Sequence, residues 1–434
     1  MKRTLLAGAI VSSLLASTMS FAQDYNAINQ SINDEYVEAG DDLVIAIPAA
    51  GFLASWINDD WEGAKQLTLS LIAAQTITEV TKQTVGRFRP NSDLAGASYK
   101  SFPSGHAAGA FSGAAYLQTR YGAAWGLPAY AGATFVAASR VHGNRHYADD
   151  VLAGASIAFL VNQYFVSPYA NEGVAFNVAP NRDGGMVFGL SISNQALAYD
   201  QGRERGNGEL KRRNRHRFQL DVGFNTLDSV AHIDADGQLD NSQLVDGHQP
   251  FSAVHYEYQI DEQSSLEVQF MPNETRRYGV ANNNLSIGNT TYNDGTDVYM
   301  AFKQWSLGAT YLKHYQVNED LKLSGGLGMY GHLIEIEADH LRGGNYAKEK
   351  GYELMPAVSA KAQYHLVGGL SALASAQYQL AGGNNITTTE AGLSYAVNPD
   401  WEFGIKYTTS RSHWRSVDTK YYTDAVVLSF ANRF

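Results

Sequence analysis

Apolar positions along this chain keep two different periods. Up to about residue 170 they recur at helical spacing, and from about residue 184 they alternate with polar or small residues. The first pattern predicts helices over 43–57, 62–85, 105–120, 123–142 and 147–166, broken by Asn58-Asp59-Asp60, a loop over 86–103, and Tyr121-Gly122. Several are apolar nearly all round, so they are either buried core helices or membrane spans. Their uninterrupted apolar runs fall short of the ~20 residues that cross a bilayer, which favours a compact periplasmic bundle over inner-membrane spans.

The second pattern predicts strands. Trp401, Phe403, Ile405 and Tyr407 alternate with Glu402, Gly404, Lys406 and Thr408, while Leu321, Leu323, Leu327, Met329 and Leu333 share one face of another segment. Tight turns at Asn318-Glu319-Asp320, Val367-Gly368-Gly369 and Asn398-Pro399-Asp400 alternate with longer polar loops. Segments of roughly 10 residues suit tilted membrane strands better than a secreted sandwich, whose strands average about five or six. Most of the 26 tyrosines lie in this half, as aromatic girdles require. The final strand, ending in Phe434 with Val426, Leu428 and Phe430 on one face, resembles the targeting strand of bacterial outer-membrane barrels.

The expected architecture is therefore multidomain: an all-α bundle over 23–170, then an antiparallel transmembrane β-barrel over 171–434. Strands starting near 173, 185, 214, 250, 264, 296, 320, 357, 369, 385, 400 and 420 make twelve, with ten or fourteen as alternatives. The strand near 357 is started after Pro356, which cannot donate to a ladder.

Composition sharpens this picture at the ends and in the solvent. Lys2 and Arg3 precede a short apolar stretch and Ser20-Phe21-Ala22, the pattern of an export leader over residues 1–22 cleaved after Ala22. Loss of two basic residues takes the net charge from −11 to −13. Nucleic acid is excluded as a partner by that balance. The absence of cysteine removes disulfides, thiolate nucleophiles and Cys-based zinc sites. A basic segment over 201–217 reads as a solvated loop, or else as a patch for lipid phosphates.

Candidate chemistry sits in the helical half. Ser104-Gly105-His106 falls at a loop-to-helix junction, where free N–H groups and the helix dipole favour an anion. Lys82 near one helix end, Arg89 in the following loop and Arg140 at another helix end supply three cations, enough to offset a phosphomonoester without a metal. On a helix, His146 and Asp150 would share a face, so that the carboxylate orients the imidazole as a nucleophile.

Three segments carry a family resemblance: Lys82-Gln83-Thr84-Val85-Gly86-Arg87-Phe88-Arg89-Pro90, Ser101-Phe102-Pro103-Ser104-Gly105-His106, and Ser139-Arg140-Val141-His142-Gly143-Asn144-Arg145-His146-Tyr147-Ala148-Asp149-Asp150. In order and spacing they resemble the signature motifs of type 2 phosphatidic acid phosphatases, with Ala148 standing where members often carry Pro. The resemblance implies a metal-independent phosphatase that needs no cofactor. His146 would become a phosphohistidine oriented by Asp150, and His106 would protonate the leaving alcohol and then activate water. Lys82, Arg89, Arg140, the Ser104 hydroxyl and the Gly105 amide would hold phosphate oxygens. His142, Arg145 and Asp149 are read as structural. The expected partners are a lipid phosphate (phosphatidic acid-like, phospholipid or lipid A phosphate, less so an isoprenoid diphosphate), outer-membrane lipid and the barrel assembly machinery. The expected location is the outer membrane with the phosphatase domain in the periplasm. Rival readings are a vanadium-dependent haloperoxidase, whose phosphate cradle is similar, and a porin or adhesin with an inert helical domain.

Overall fold

The computed structural model describes residues 27–91, 99–169, 174–180, 186–192, 215–226, 239–245, 249–417 and 419–434. The expected leader and all but the last three residues of the basic segment 201–217 lie outside them. Among the described residues five helices come first: α1 (Glu35–Ile57), α2 (Trp61–Val85), α3 (Gly105–Tyr121), α4 (Ala123–His142) and α5 (Ala148–Phe165). Local chemistry sets their ends. Asp34 caps α1 by accepting from the Val37 amide at 3.0 Å, and Asp60 caps α2 through the Gly63 amide at 2.8 Å. The cap at Asp34 starts α1 eight residues before the apolar period does, because its first two turns are polar and carry Glu35 and Glu38 near the positive helix end. Gly86, at φ 65°, adopts the left-handed geometry that stops α2 and turns the chain toward Arg89.

The strand half closes into a barrel of ten strands: β1 (His216–Asn225), β2 (Pro250–Asp261), β3 (Ser264–Ala281), β4 (Asp297–Gln316), β5 (Leu321–His340), β6 (Ala347–Val367), β7 (Leu370–Ala381), β8 (Asn384–Ala396), β9 (Trp401–Trp414) and β10 (Thr419–Arg433). Each pairs antiparallel with its sequence neighbours, and β10 returns to β1 in the register Phe430↔Leu220. The expected count of twelve is thereby corrected. The first two predicted strands exist, at Val174–Pro180 and Met186–Ile192, but they pair with each other, and β10 closes on β1 without them. Pro356 also lies inside β6 rather than before it, opposite Met329. The ladder to β7 reaches only Ala357, so the proline ring can face a side where no N–H is needed.

Alternation sorts the two barrel faces as read from sequence. Leu323, Leu327, Phe403, Ile405 and Tyr407 are exposed outside, whereas Lys406 is buried in the lumen between Asp221 at 2.7 Å and Glu390 at 2.9 Å.

The two halves touch along one wall. Helix α5 runs beside β1 and β2, with the Phe159 ring 4.6 Å from Phe218 and 5.6 Å from Phe434. Higher on the same face, Val222 and Phe224 pack on Val85, Phe102 and Ala153. The Ser252 hydroxyl donates to the Asp149 carbonyl at 2.7 Å. These contacts use outward barrel positions, so the bundle lies alongside the barrel wall rather than beneath it.

Candidate active site

Ser104 is fully buried as the N-cap of α3, with its hydroxyl accepting from the Ala107 amide at 3.3 Å. Its own amide donates to the Asp150 carbonyl at 2.9 Å, which ties the start of α3 to the first turn of α5. This approach requires Gly154: a Cβ there would lie 2.3 Å from the Ser104 carbonyl oxygen. Gly105 is close enough to Lys82 that a Cβ would meet its Nζ at 3.1 Å. The Gln75 amide adds a bond to the Gly105 carbonyl at 3.0 Å. Lys82 and the α3 N-terminus therefore converge on one point, as an anion site requires.

His146 and Asp150 are neighbours, but not by the expected route. Helix α5 begins at Ala148, so His146 stands in the turn before it and the pair does not share a helical face. Asp150 is at the third helical position and accepts from the Tyr147 amide at 2.9 Å, closing a cap. It also accepts from the Ser101 hydroxyl and, at 2.8 Å, from Arg87. His146 Nδ1 lies 3.5 Å from Asp150 Oδ2, too far for a good hydrogen bond, and makes none among the described residues. The imidazole is buried, and burial lowers its pKa ahead of the opposing pull of Asp150.

Arg87 fixes the acidic side. One of its nitrogens reaches both Asp149 oxygens and Asp150 at 2.8 Å, and its guanidinium stacks 3.9 Å over Tyr147. Two buried carboxylates face one guanidinium. Burial raises Asp149 well above the usual carboxylate range, while Arg87, His146 and Ser101 outweigh burial at Asp150 and lower it. The structural reading of Asp149 fits this geometry.

The cations divide into two kinds. Among the described residues Lys82 and Arg89 have no carboxylate partner, and the buried Arg89 Nε bonds to nothing. The charges of Arg89 and Lys82 both lower the pKa of His146. Arg140, by contrast, is fully buried and occupied: Nη1 donates to Asp41 at 2.5 Å and Nη2 to the Val37 carbonyl at 2.6 Å. Asp41 also stands 3.1 Å from His106 Nε2. Burial, followed by the charge of Arg140, pushes the His106 pKa down to about 4.

Sequence reasoning missed Asp41, since a carboxylate before an apolar run has no diagnostic spacing. It also missed two barrel residues. Arg276 of β3 donates to the carbonyls of Ile28 and Pro90 at 2.8 and 2.9 Å and to Asn144 Oδ1 at 3.0 Å. Glu274 accepts from the Ala148 amide at 3.3 Å and from Trp305 at 2.9 Å. A proline at position 148 has no such N–H to give.

Residues 63–171 match the model of the PAP2 superfamily. A lipid A 1-phosphatase of Porphyromonas gingivalis is 34% identical over 127 residues, which span 27% of this chain and 28% of that relative's length. LpxE of Aquifex aeolicus, a solved structure, matches at 19% identity and a TM-score of 0.27, over 31% of this chain and 88% of its own. The translocator domain of the autotransporter NalP from Neisseria meningitidis matches at 13% identity and a TM-score of 0.30, over 55% and 96%.

Proposed function

Because the chain carries a PAP2 superfamily domain joined to a closed ten-strand barrel, we propose that it is an outer-membrane phosphatase that hydrolyses lipid phosphate monoesters, of the phosphatidic acid or lipid A type. The observation that carries this reading is the approach of Lys82 to the Ser104-Gly105 helix start, together with a buried His146 whose Nδ1 faces Asp150 and whose pKa the charges of Arg89 and Lys82 lower. With Arg140 offset by Asp41, Lys82 and Arg89 supply two positive charges for the two negative charges of a phosphomonoester.

In the first step Nε2 of His146 forms a bond to phosphorus as the ester P–O bond breaks, and His106 gives a proton to the departing alkoxide. In the second, water loses a proton to His106 and attacks phosphorus, the N–P bond breaks, and inorganic phosphate leaves. The bound phosphate lies beside Lys82, one of the cations whose charge lowers His106, so its negative charge raises the proton affinity that the first step uses.

An outer face of exposed leucine, isoleucine and tyrosine supports a membrane barrel. The sequence reading puts the catalytic domain in the periplasm; packing of α5 along the barrel wall lends no support to a domain hanging free below it.

The test is phosphate release by the purified full chain from a panel of lipid phosphates, with His146→Ala as control. Expected are release by the wild type, loss by at least about 10³-fold in the variant, survival in chelator and inhibition by vanadate. Undiminished release by His146→Ala, or halide oxidation with vanadate in place of hydrolysis, overturns the assignment.

A further inference from the structure

Strand register fixes the height of the site along the barrel. Going up the outer wall, one row holds Pro272, Trp305, Leu333 and Tyr352, cross-strand partners in turn. Below it the outward residues are apolar, among them Leu307, Tyr311, Leu327, Leu354 and Val358. The next outward row holds Glu274, Lys303, Glu335 and Lys350, also successive partners. These are charged and ion-paired, Lys303 to Glu335 at 2.8 Å and Lys350 to Glu335 at 2.9 Å. The apolar band of the barrel therefore ends between the two rows.

The catalytic loops attach at this boundary. Glu274, in the charged row, binds the Ala148 amide, and Arg276, the next outward position of β3, binds Pro90 and Asn144. The boundary faces the end of the barrel with the long connections, 226–249 and 282–296. At the other end strands join through 262–263, 317–320, 368–369 and 397–400.

The bundle repeats the same band. Residues 43–57, 66–78, 107–119, 123–139 and 151–165 contain no Asp, Glu, Lys or Arg, and the charged groups of the site gather above them. The segment 151–165 rises about 22 Å, close to the ~25 Å apolar band of a membrane barrel. Exposed Ile45, Leu53, Ile72 and Leu127 face outward from these stretches. Helix α1 is long and apolar enough to cross a membrane, and only 28% of its most apolar window is buried. At the end away from the site, Trp56, Trp61, Trp125 and Tyr164 are exposed, and Tyr164 lies 6.4 Å from Trp401 of β9. Aromatic residues collect where hydrocarbon meets headgroups.

We propose that the bundle lies in the bilayer beside the barrel, and that its site opens at the outer-leaflet boundary and takes the headgroup phosphate of a lipid whose chains lie in that leaflet. The orientation follows from short turns being periplasmic and long loops external. The substrate half rests on the phosphatase reading above; the orientation does not.

A chain without cysteine suits a labelling test on intact cells. Glu35→Cys and Lys100→Cys mark the site end, and Lys65→Cys and Glu319→Cys mark the opposite end of bundle and barrel; two positions per end keep the test decisive if one variant fails to assemble. An impermeant maleimide is expected to label the first pair on intact cells and the second only after the outer membrane is opened. The reverse pattern, or protection of all four until opening, overturns the proposal. Phosphate release by the detergent-solubilised wild type is read separately. The expected labelling without release removes the phosphatase reading and the substrate half with it, whereas release with reversed labelling removes only the leaflet.

Discussion

Asp41 Oδ1 lies 3.1 Å from Nε2 of His106 while the same oxygen holds Arg140 at 2.5 Å, so one carboxylate joins the proposed acid to a buried guanidinium. Its charge raises the proton affinity of His106 against the lowering effects of burial and Arg140. Asp41→Asn keeps an oxygen for Arg140 but removes that charge. The expected result is tighter vanadate binding, about tenfold, as Arg140 becomes an unopposed cation, together with a pH profile whose His106 limb moves to lower pH. Inhibition titrations across pH check both, and an unchanged profile means Asp41 only packs.

Arg89 is half-buried with an unbonded Nε, so its removal leaves no orphaned partner among the described residues. Arg89→Ala is expected to fold normally and to lose roughly 10²–10³ in kcat/KM, the cost of one donor to transition-state charge. Thermal unfolding beside steady-state kinetics separates the effects. A folded variant with wild-type turnover removes Arg89 from the site.

His106 stands above the charge-free stretch of α3, and its pKa near 4 compares with 6.5 for a free imidazole. A depressed histidine is neutral between those values in the folded protein and protonated when unfolded, so it withdraws stability as pH falls from 6.5 toward 4. Vanadate, bearing the opposite charge to Lys82 and Arg89, is expected to move the transition upward. Histidine NMR titration with and without vanadate reads this directly; a midpoint near 6.5 in both states contradicts it.

Gly154 lets α5 touch the Ser104 carbonyl. Gly154→Ala is expected to push the two apart, cost about 1–3 kcal/mol as overpacking does, and weaken the bond from the Ser104 amide to Asp150. A fall in both melting temperature and activity is the outcome to look for. Activity retained at full stability means that the backbone yields elsewhere.

Arg276 makes the barrel part of the site. Its three bonds hold the loops at Pro90 and Asn144, and hydrogen bonds to a charged group are worth about 1.5–3 kcal/mol each. Arg276→Met is expected to leave the barrel assembled while activity drops at least about tenfold and protease nicking of the 86–103 loop increases. Wild-type activity in this variant would show that the barrel is only an anchor.

Local rules settled much of this protein before any coordinates. Helix ends at Asp60, Gly86 and Ser104 follow from caps and a left-handed glycine, and strand faces follow from a period of two. The motif residues Lys82, Ser104 and Gly105 could be named from spacing and resemblance because both are written along the chain, and in the fold Lys82 stands by the helix start that Ser104 caps. Tertiary structure alone decided the rest. Whether the segment at 174–180 joins the barrel depends on where β10 meets β1, a contact across two hundred residues. The engagement of Arg140 by Asp41, the 3.5 Å gap at His146, and the seating of the motif loops on Glu274 and Arg276 depend on packing between elements far apart in sequence. No periodicity encodes such contacts, since a lone charged residue in a strand looks the same whether it meets solvent or another domain.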